Sequence, residues 1–196
     1  MDKVRKQKRQ AQTKNEILQA AEEILITSQI NDLTMRSLAK SLSISGANLY
    51  NYYKNKDEIL IDLYKKTCNI FLNKLKTQPF DEQNPLQSFT DLCCFMCLFR
   101  IENSKIYREI SLQKPFKETP EELTAIREYF KKRIRELRPT YLKTKKSDDS
   151  INNIILALAE GVASLVTSSF SEERLESGMK IMKEGMDTLL LGFQKD

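Results

Sequence analysis

Apolar residues recur along most of the chain at spacings of three and four, the period of a helix packed on one side. The stripe Ile17, Ala20, Ala21, Ile24 and Leu25 predicts a first helix over 13–28, with Glu22 and Glu23 outside it. Thr13 and Glu16 have the spacing of a capping box, in which each side chain takes up one free backbone N–H, so this helix is expected to open at Thr13. Two short helices follow, over 34–41 and 45–52. Thr34 and Ser45 are their N-caps, and the pairs Leu33/Leu38 and Ile44/Leu49 stand where a hydrophobic staple fixes the angle of chain entry. A fourth helix opens at Asn55, with Glu58 as capping partner, and runs through Leu60, Leu63, Tyr64, Thr67, Phe71 and Leu75 until Pro79 breaks it. It is too long for a minimal three-helix domain and is expected to connect into a second one.

The rest of the chain continues the helical period. Asn84, Pro85 and Gln87 start a fifth helix whose run LQSFTDLCCFMCLF is apolar around most of its circumference and should be buried. A shorter sixth is expected over roughly 103–113, and Thr119-Pro120-Glu121-Glu122 opens a seventh with the stripe Leu123, Ile126, Phe130, Ile134 and Leu137. The last two, over about 148–169 and 172–193, are separated by so short a joint that they should form an antiparallel hairpin. Ala157, Gly161 and Ser164 share one side of the first. Gly178, Met182, Gly185, Leu189 and Gly192 recur along the second. Each helical glycine costs about 1 kcal/mol against alanine, and a close helix–helix contact, within a subunit or between two, would offset it.

Composition agrees with an all-α chain. Five Gly and five Pro in 196 residues leave little material for a turn-rich β-protein. The net charge of +5 is unevenly placed: residues 1–14 hold six bases against one acid, 127–146 nine against two, and 147–196 four against nine. The start MDKVRKQKRQ lacks the apolar stretch of a signal peptide, and no run approaches the ~18 apolar residues of a membrane span. A cytoplasmic protein with reduced thiols and no membrane association is expected.

Two capped helices whose N-caps lie eleven residues apart, the second presenting Gly46, Ala47, Asn48, Tyr50 and Asn51 near its exposed end, have the layout of a helix-turn-helix. Lysine-rich ends often do no more than keep a protein soluble. Beside this motif, the basic segment 1–14 gains the reading of a phosphate contact.

The stretch from Thr13 to Leu60 resembles the DNA-binding domain of the TetR family of transcriptional regulators. The matching pieces are the Ala20-Ala21 pair, Thr34, Leu38-Ala39, Ser45, Leu49-Tyr50, Tyr53 and Lys54-Asn55-Lys56-Asp57, in order. Two positions depart from the family pattern. Ser43 stands where a glycine is usual in the turn, and Ala47 where Gly or Pro is common. The resemblance implies an all-helical architecture of about nine helices. An N-terminal DNA-binding domain (1–56) is joined by the fourth helix to a C-terminal effector-binding and dimerisation domain (57–196). It also implies a homodimer built on the last two helices, a small-molecule effector, and double-stranded DNA as partner.

Residue roles follow from motif and resemblance together. Thr34, Arg36, Ser45, Tyr50, Asn51, Tyr52 and Lys56 are expected on the DNA side, Thr34 and Ser45 also as plain N-caps. Gly46 and Ala47 let the recognition helix approach the groove closely, and Asn48 has the amide to read an adenine edge. Leu49 and Tyr53 belong to the core. An apolar or aromatic effector would meet Tyr64, Phe89, Cys93, Met96, Phe99, Tyr107 and Phe130. The dimer would use Ala157, Gly161, Ser164, Gly178, Met182, Gly185 and Leu189. Cys93, Cys94 and Cys97 invite a metal or thiol-sensor reading, but their apolar surroundings fit small buried hydrophobes better. No metal or cofactor is expected.

The absence of histidine removes the commonest general base, and there is no Gly-rich phosphate loop, so an enzyme is not expected. A repressor released by its effector is the leading expectation. A helical DNA-binding adaptor without a switching ligand is the alternative.

Overall fold

A computed structural model describes residues 2–28, 30–107 and 119–195. Among these residues every regular element is helical. We label them α1 (Asp2–Thr27), α2 (Met35–Ser41), α3 (Gly46–Tyr50), α4 (Lys56–Lys76), α5 (Pro85–Glu102), α6 (Glu121–Leu137), α7 (Asp148–Thr167) and α8 (Glu172–Lys195), with a 3-10 turn at Ile30–Asp32. The backbone is also helical at 104–107. The expected helix over 103–113 therefore begins here, and its remainder lies outside the described residues.

Two compact units divide the chain. One runs to Thr67 and takes in the segment from Lys105; the other comprises Cys68–Ser104 and Thr119–Asp196. The first unit is built around α1. Its inner face carries Ile17, Leu18, Ala20, Ala21 and Leu25, and Leu33, Leu38, Ala39, Leu49, Tyr53, Ile59, Leu60 and Leu63 complete the core. Glu22 on α1 is paired with Lys66 on α4 at 3.0 Å, with both side chains 30% exposed, which is worth under about 1 kcal/mol. Burial, not that pair, holds α1 down.

One expectation fails here. α1 does not open at Thr13 but continues back to Asp2. The Thr13 hydroxyl donates to the Arg9 carbonyl at 3.1 Å, a helix-interior bond, and Glu16 accepts from Gln12 at 3.2 Å. The physical reason is upstream: Lys, Arg, Gln and Ala are all good helix formers, and no Gly or Pro interrupts them.

In the second unit α5 is the central helix. Phe89, Leu92, Cys93, Met96, Cys97, Phe99 and Ile101 are buried along it, as its all-round apolarity requires. α7 and α8 form the expected hairpin against α5, and α6 packs on α7. Pro120 itself occupies the N-cap position of α6, one residue later than a Thr119 cap would place it. α7 starts at Ser147, whose hydroxyl accepts the Ser150 N–H at 3.2 Å. The link from α6 to α7 is clasped by Arg138, which bonds the Asp148 carboxylate at 2.7 Å, the Thr144 carbonyl at 3.1 Å and the Lys146 carbonyl. The Lys143 and Thr144 N–H groups donate to the Phe193 carbonyl, fastening the same link to the end of α8.

α7 is long and apolar enough, at a mean hydropathy of 1.4 over 18 residues, to cross a membrane by length and composition alone, contrary to the expectation that no run comes near such a span. Its packed side (Ile151, Ile155, Ala159, Val162, Ala163, Val166) is that of a core helix. One such helix is weak grounds for a span.

Candidate nucleic-acid interface

The geometry of the helix-turn-helix is set by backbone groups seeking partners. Thr34 Oγ1 accepts the Ser37 N–H at 3.0 Å, and Ser37 Oγ accepts the Thr34 N–H at 2.9 Å. This is a reciprocal capping box closed by a serine instead of the usual Glu or Gln, with a cap worth about 1 kcal/mol. At the other end of α2 the Ser43 N–H donates to Lys40 O at 3.1 Å and the Ile44 N–H to Ala39 O at 3.0 Å. These two bonds form a Schellman motif, which needs a left-handed residue at Ser43. Ser43 indeed has φ 54°, the one positive φ among the described non-glycine residues. A side chain in that region costs about 1–2 kcal/mol. The departure from the usual glycine is thus accommodated by strain.

α3 then starts from Ser45, whose Oγ accepts the Asn48 N–H at 3.1 Å. It spans only Gly46–Tyr50, with Asn51 as C-cap, so the expected helix over 45–52 is shortened at both ends. Leu49 faces inward and is fully buried. Ser45, Gly46, Ala47, Asn48, Tyr50 and Asn51 face outward, Tyr50 at 55% exposure. A Cβ built on Gly46 would meet nothing within 4 Å. Nothing inside the chain therefore requires a glycine there. Thr34 and Arg36 are exposed on α2, while Tyr52 and Lys56 are half-buried. A shallow cleft between α2 and α3 is lined by Met35, Arg36, Ala39, Lys40, Ile44, Gly46 and Tyr50.

A small polar cluster holds the far end of the motif. The Tyr53 hydroxyl donates to Asp62 Oδ2 at 3.1 Å. Lys14 Nζ lies 4.5 Å from the Tyr53 ring centroid and 3.6 Å from Asp62. Burial first, then the Asp62 charge, push the Tyr53 phenol far above its ordinary range, so it remains an O–H donor. Lys14 and Asp62 were not singled out from the sequence. A buried tyrosine needs a partner, but its spacing does not say which residue supplies it.

The other residues expected in a site are distributed as follows. Tyr64 and Tyr107 stack edge-on at 5.6 Å in the first unit. In the second, Phe89 and Phe130 pack at 6.5 Å and Phe99 lies 4.8 Å from Phe71, with Cys93 and Met96 also buried. These six side chains belong to the buried core of the second unit. Burial drives the Cys93 thiol well up and holds Cys94 and Cys97 near about 11, with the charges of Asp91 and Cys94 respectively adding to it. Such thiols are poor nucleophiles at neutral pH. No group of three or more potential metal ligands occurs among the described residues.

The residues assigned to a dimer separate into two sets. Ala157, Gly161 and Ser164 are exposed along α7, next to Leu165 at 61% exposure. Gly178 and Met182, expected at a dimer contact, are buried inside the subunit. A Cβ on Gly178 would lie 2.3 Å from Val166 Cγ2, so this glycine serves the close approach of α7 and α8. A Cβ on Gly185 would likewise lie 2.8 Å from Leu158 Cδ2 of the same hairpin, and Leu189 is half-buried. Gly161 and Gly192 have open space beside them.

Residues 17–63 match the family model for bacterial regulatory proteins of the tetR family. An uncharacterized HTH-type transcriptional regulator of Haemophilus influenzae is 33% identical over 79 residues, 39% of this chain and 42% of that protein. The fatty acid metabolism regulator protein of Bacillus subtilis is 30% identical over 61 residues, 31% of each chain. The match thus spans less than half of either curated relative. Over nearly the full length, the fold is shared with a TetR-family transcriptional regulator of Pectobacterium atrosepticum, with a TM-score of 0.73 at 15% identity, covering 96% of this chain and 97% of the other. The Schellman turn at Ser43, the bare outer face of α3 and the matched sequence agree: residues 17–63 are similar to the tetR family of bacterial regulatory proteins.

Proposed function

We propose that the protein is a cytoplasmic DNA-binding transcriptional repressor. It acts as a homodimer on a palindromic operator and is released when a small apolar or aromatic molecule binds its C-terminal unit. The observation that carries this reading is the outward face of α3, which has no side chain larger than a methyl at Gly46 and Ala47. A helix bared in this way can bring its backbone to the groove floor, and Ala47 can meet a thymine methyl. Asn48 beside them supplies an amide of the right shape for adenine N6 and N7. Thr34, Arg36, Ser45, Tyr50, Asn51, Tyr52 and Lys56 surround that face as phosphate contacts, which position the helix without reading bases. Thr34 and Ser45 do so while serving as caps.

One such element reads too few bases for a genomic site, and a two-fold dimer doubles it. The exposed strip of Ala157, Gly161, Ser164 and Leu165 supports α7 as part of that contact. The effector acts by favouring a conformation in which the paired recognition helices no longer fit successive grooves. Enzymatic activity is no part of the proposal.

The test begins with duplexes selected from a random pool by the purified protein, followed by titration at several salt concentrations. Asn48→Ala should relax preference at one base pair per half-site, a loss of about 1–3 kcal/mol in discrimination. Lys56→Ala should weaken binding to every duplex and reduce the salt slope by about one. Failure of any sequence to be enriched over the pool would sink the reading.

A further inference from the structure

From Ser150 to Ser171 the chain carries a single ionisable side chain, Glu160. It stands near the middle of the exposed strip of α7, beside Ala157, Gly161 and Ser164. Its partner comes from α5. Arg100, the one cation of that helix, forms an ion pair through Nη2 with Glu160 Oε1. The Arg100 side chain is only 14% exposed, that of Glu160 52%. The two helices are close at this point: one turn earlier on α5, the Cys97 thiol donates to the Ala159 carbonyl at 3.7 Å.

As a stabiliser of the subunit the arrangement is poor. Drawing a guanidinium beneath the surface costs desolvation, and a half-exposed carboxylate returns little of it. What the pair changes is the surface that α7 presents. Without Arg100 the strip would carry one negative charge; with it the strip is neutral. A two-fold contact sets a surface against its own copy, so a lone charge near the axis meets its like. Closing this strip on a second copy would bring two carboxylates together as water leaves, which is unfavourable unless each is paired within its own subunit.

We propose that Arg100 is the residue that lets α7 close on a second copy of this chain. It neutralises Glu160 from inside the subunit, and the pair is buried when the contact forms. The inference rests on the homodimer proposed above and adds the charge condition under which its contact assembles.

Sedimentation equilibrium of the full-length chain over a concentration series gives the dimer dissociation constant. Arg100→Met keeps the length of the side chain, removes its charge, and should raise that constant at least about tenfold. Glu160→Gln should raise it several-fold, because Arg100 then enters the contact without a counter-charge. Combining the two substitutions should return the constant to that of the parent protein or below, since neither charge is left to be buried alone. Packing by Arg100 alone would not be rescued in this way. Glu160→Gln alters a half-exposed side chain, so it decides the matter even if Arg100→Met does not fold. A dissociation constant unmoved by either single substitution, or a double variant no tighter than Arg100→Met, would overturn the role of Arg100 and leave the homodimer standing. A parent protein that is monomeric throughout the series would remove the homodimer and this role with it.

Discussion

Ser43 shows at the scale of one residue how a departure from a family pattern is tolerated. Its backbone is held at φ 54° by two bonds that close α2, and the side chain is exposed, so only the Cβ is strained. Ser43→Gly relieves that strain but frees the unfolded chain, two effects of opposite sign. The first is the larger. The substitution should therefore stabilise the protein by about 0.5–1 kcal/mol, read as a higher urea midpoint at unchanged slope. An unchanged or lower midpoint would mean that the left-handed conformation carries no cost here. The departure itself was visible in the sequence only against the family pattern, in which a glycine is usual at this turn. The Tyr53–Asp62–Lys14 cluster was not, because it joins positions from three parts of the chain whose spacing has no period.

Elements were legible where their signals were local. Thr34, Ser45 and Asn55 all cap as expected, and the Asn55 side chain accepts the Glu58 N–H at 2.9 Å. Thr13 misled because the same residue pattern serves in a helix interior once good helix formers precede it. The consequence for α1 is a basic rod instead of a loose arm: Arg5, Lys6, Lys8 and Arg9 are exposed on helix that has no core beneath it. If this rod lies along phosphates, replacing Lys6 and Lys8 by Gln together should lower the salt slope of DNA binding by up to about two. Thermal stability should not change, since neither side chain is packed. A slope equal to that of the parent protein would remove α1 from the interface.

At the scale of the whole molecule the glycines of the last hairpin carry the lesson. Sequence spacing put Gly178, Gly185 and Gly192 on one stripe and left open whether the stripe met its own subunit or another. The structure divides it: Gly178 and Gly185 admit Val166 and Leu158 of the same chain, while Gly161 and Gly192 face open space. Periodicity reports which face is small, not what approaches it. An assembly through α7 would be disrupted by Ala157→Glu with Leu165→Glu, two exposed positions whose replacement should leave the helical circular dichroism intact. Sedimentation should then show a monomer, and affinity for a palindromic duplex should fall far more than affinity for a half-site. A variant that still sediments as a dimer would move the contact elsewhere.

Of the three crossings between the two units, the first falls at Thr67 and Cys68, consecutive residues in the interior of α4. Domains are commonly joined by exposed, extended chain, which is also what a protease cuts. Here Lys65 and Lys66, the basic residues beside the boundary, are held in continuous helix and are half-buried. Trypsin would meet the exposed, non-helical Lys143, Lys145 and Lys146 far more readily. Digestion would thus nick the second unit before it cut the crossing within α4.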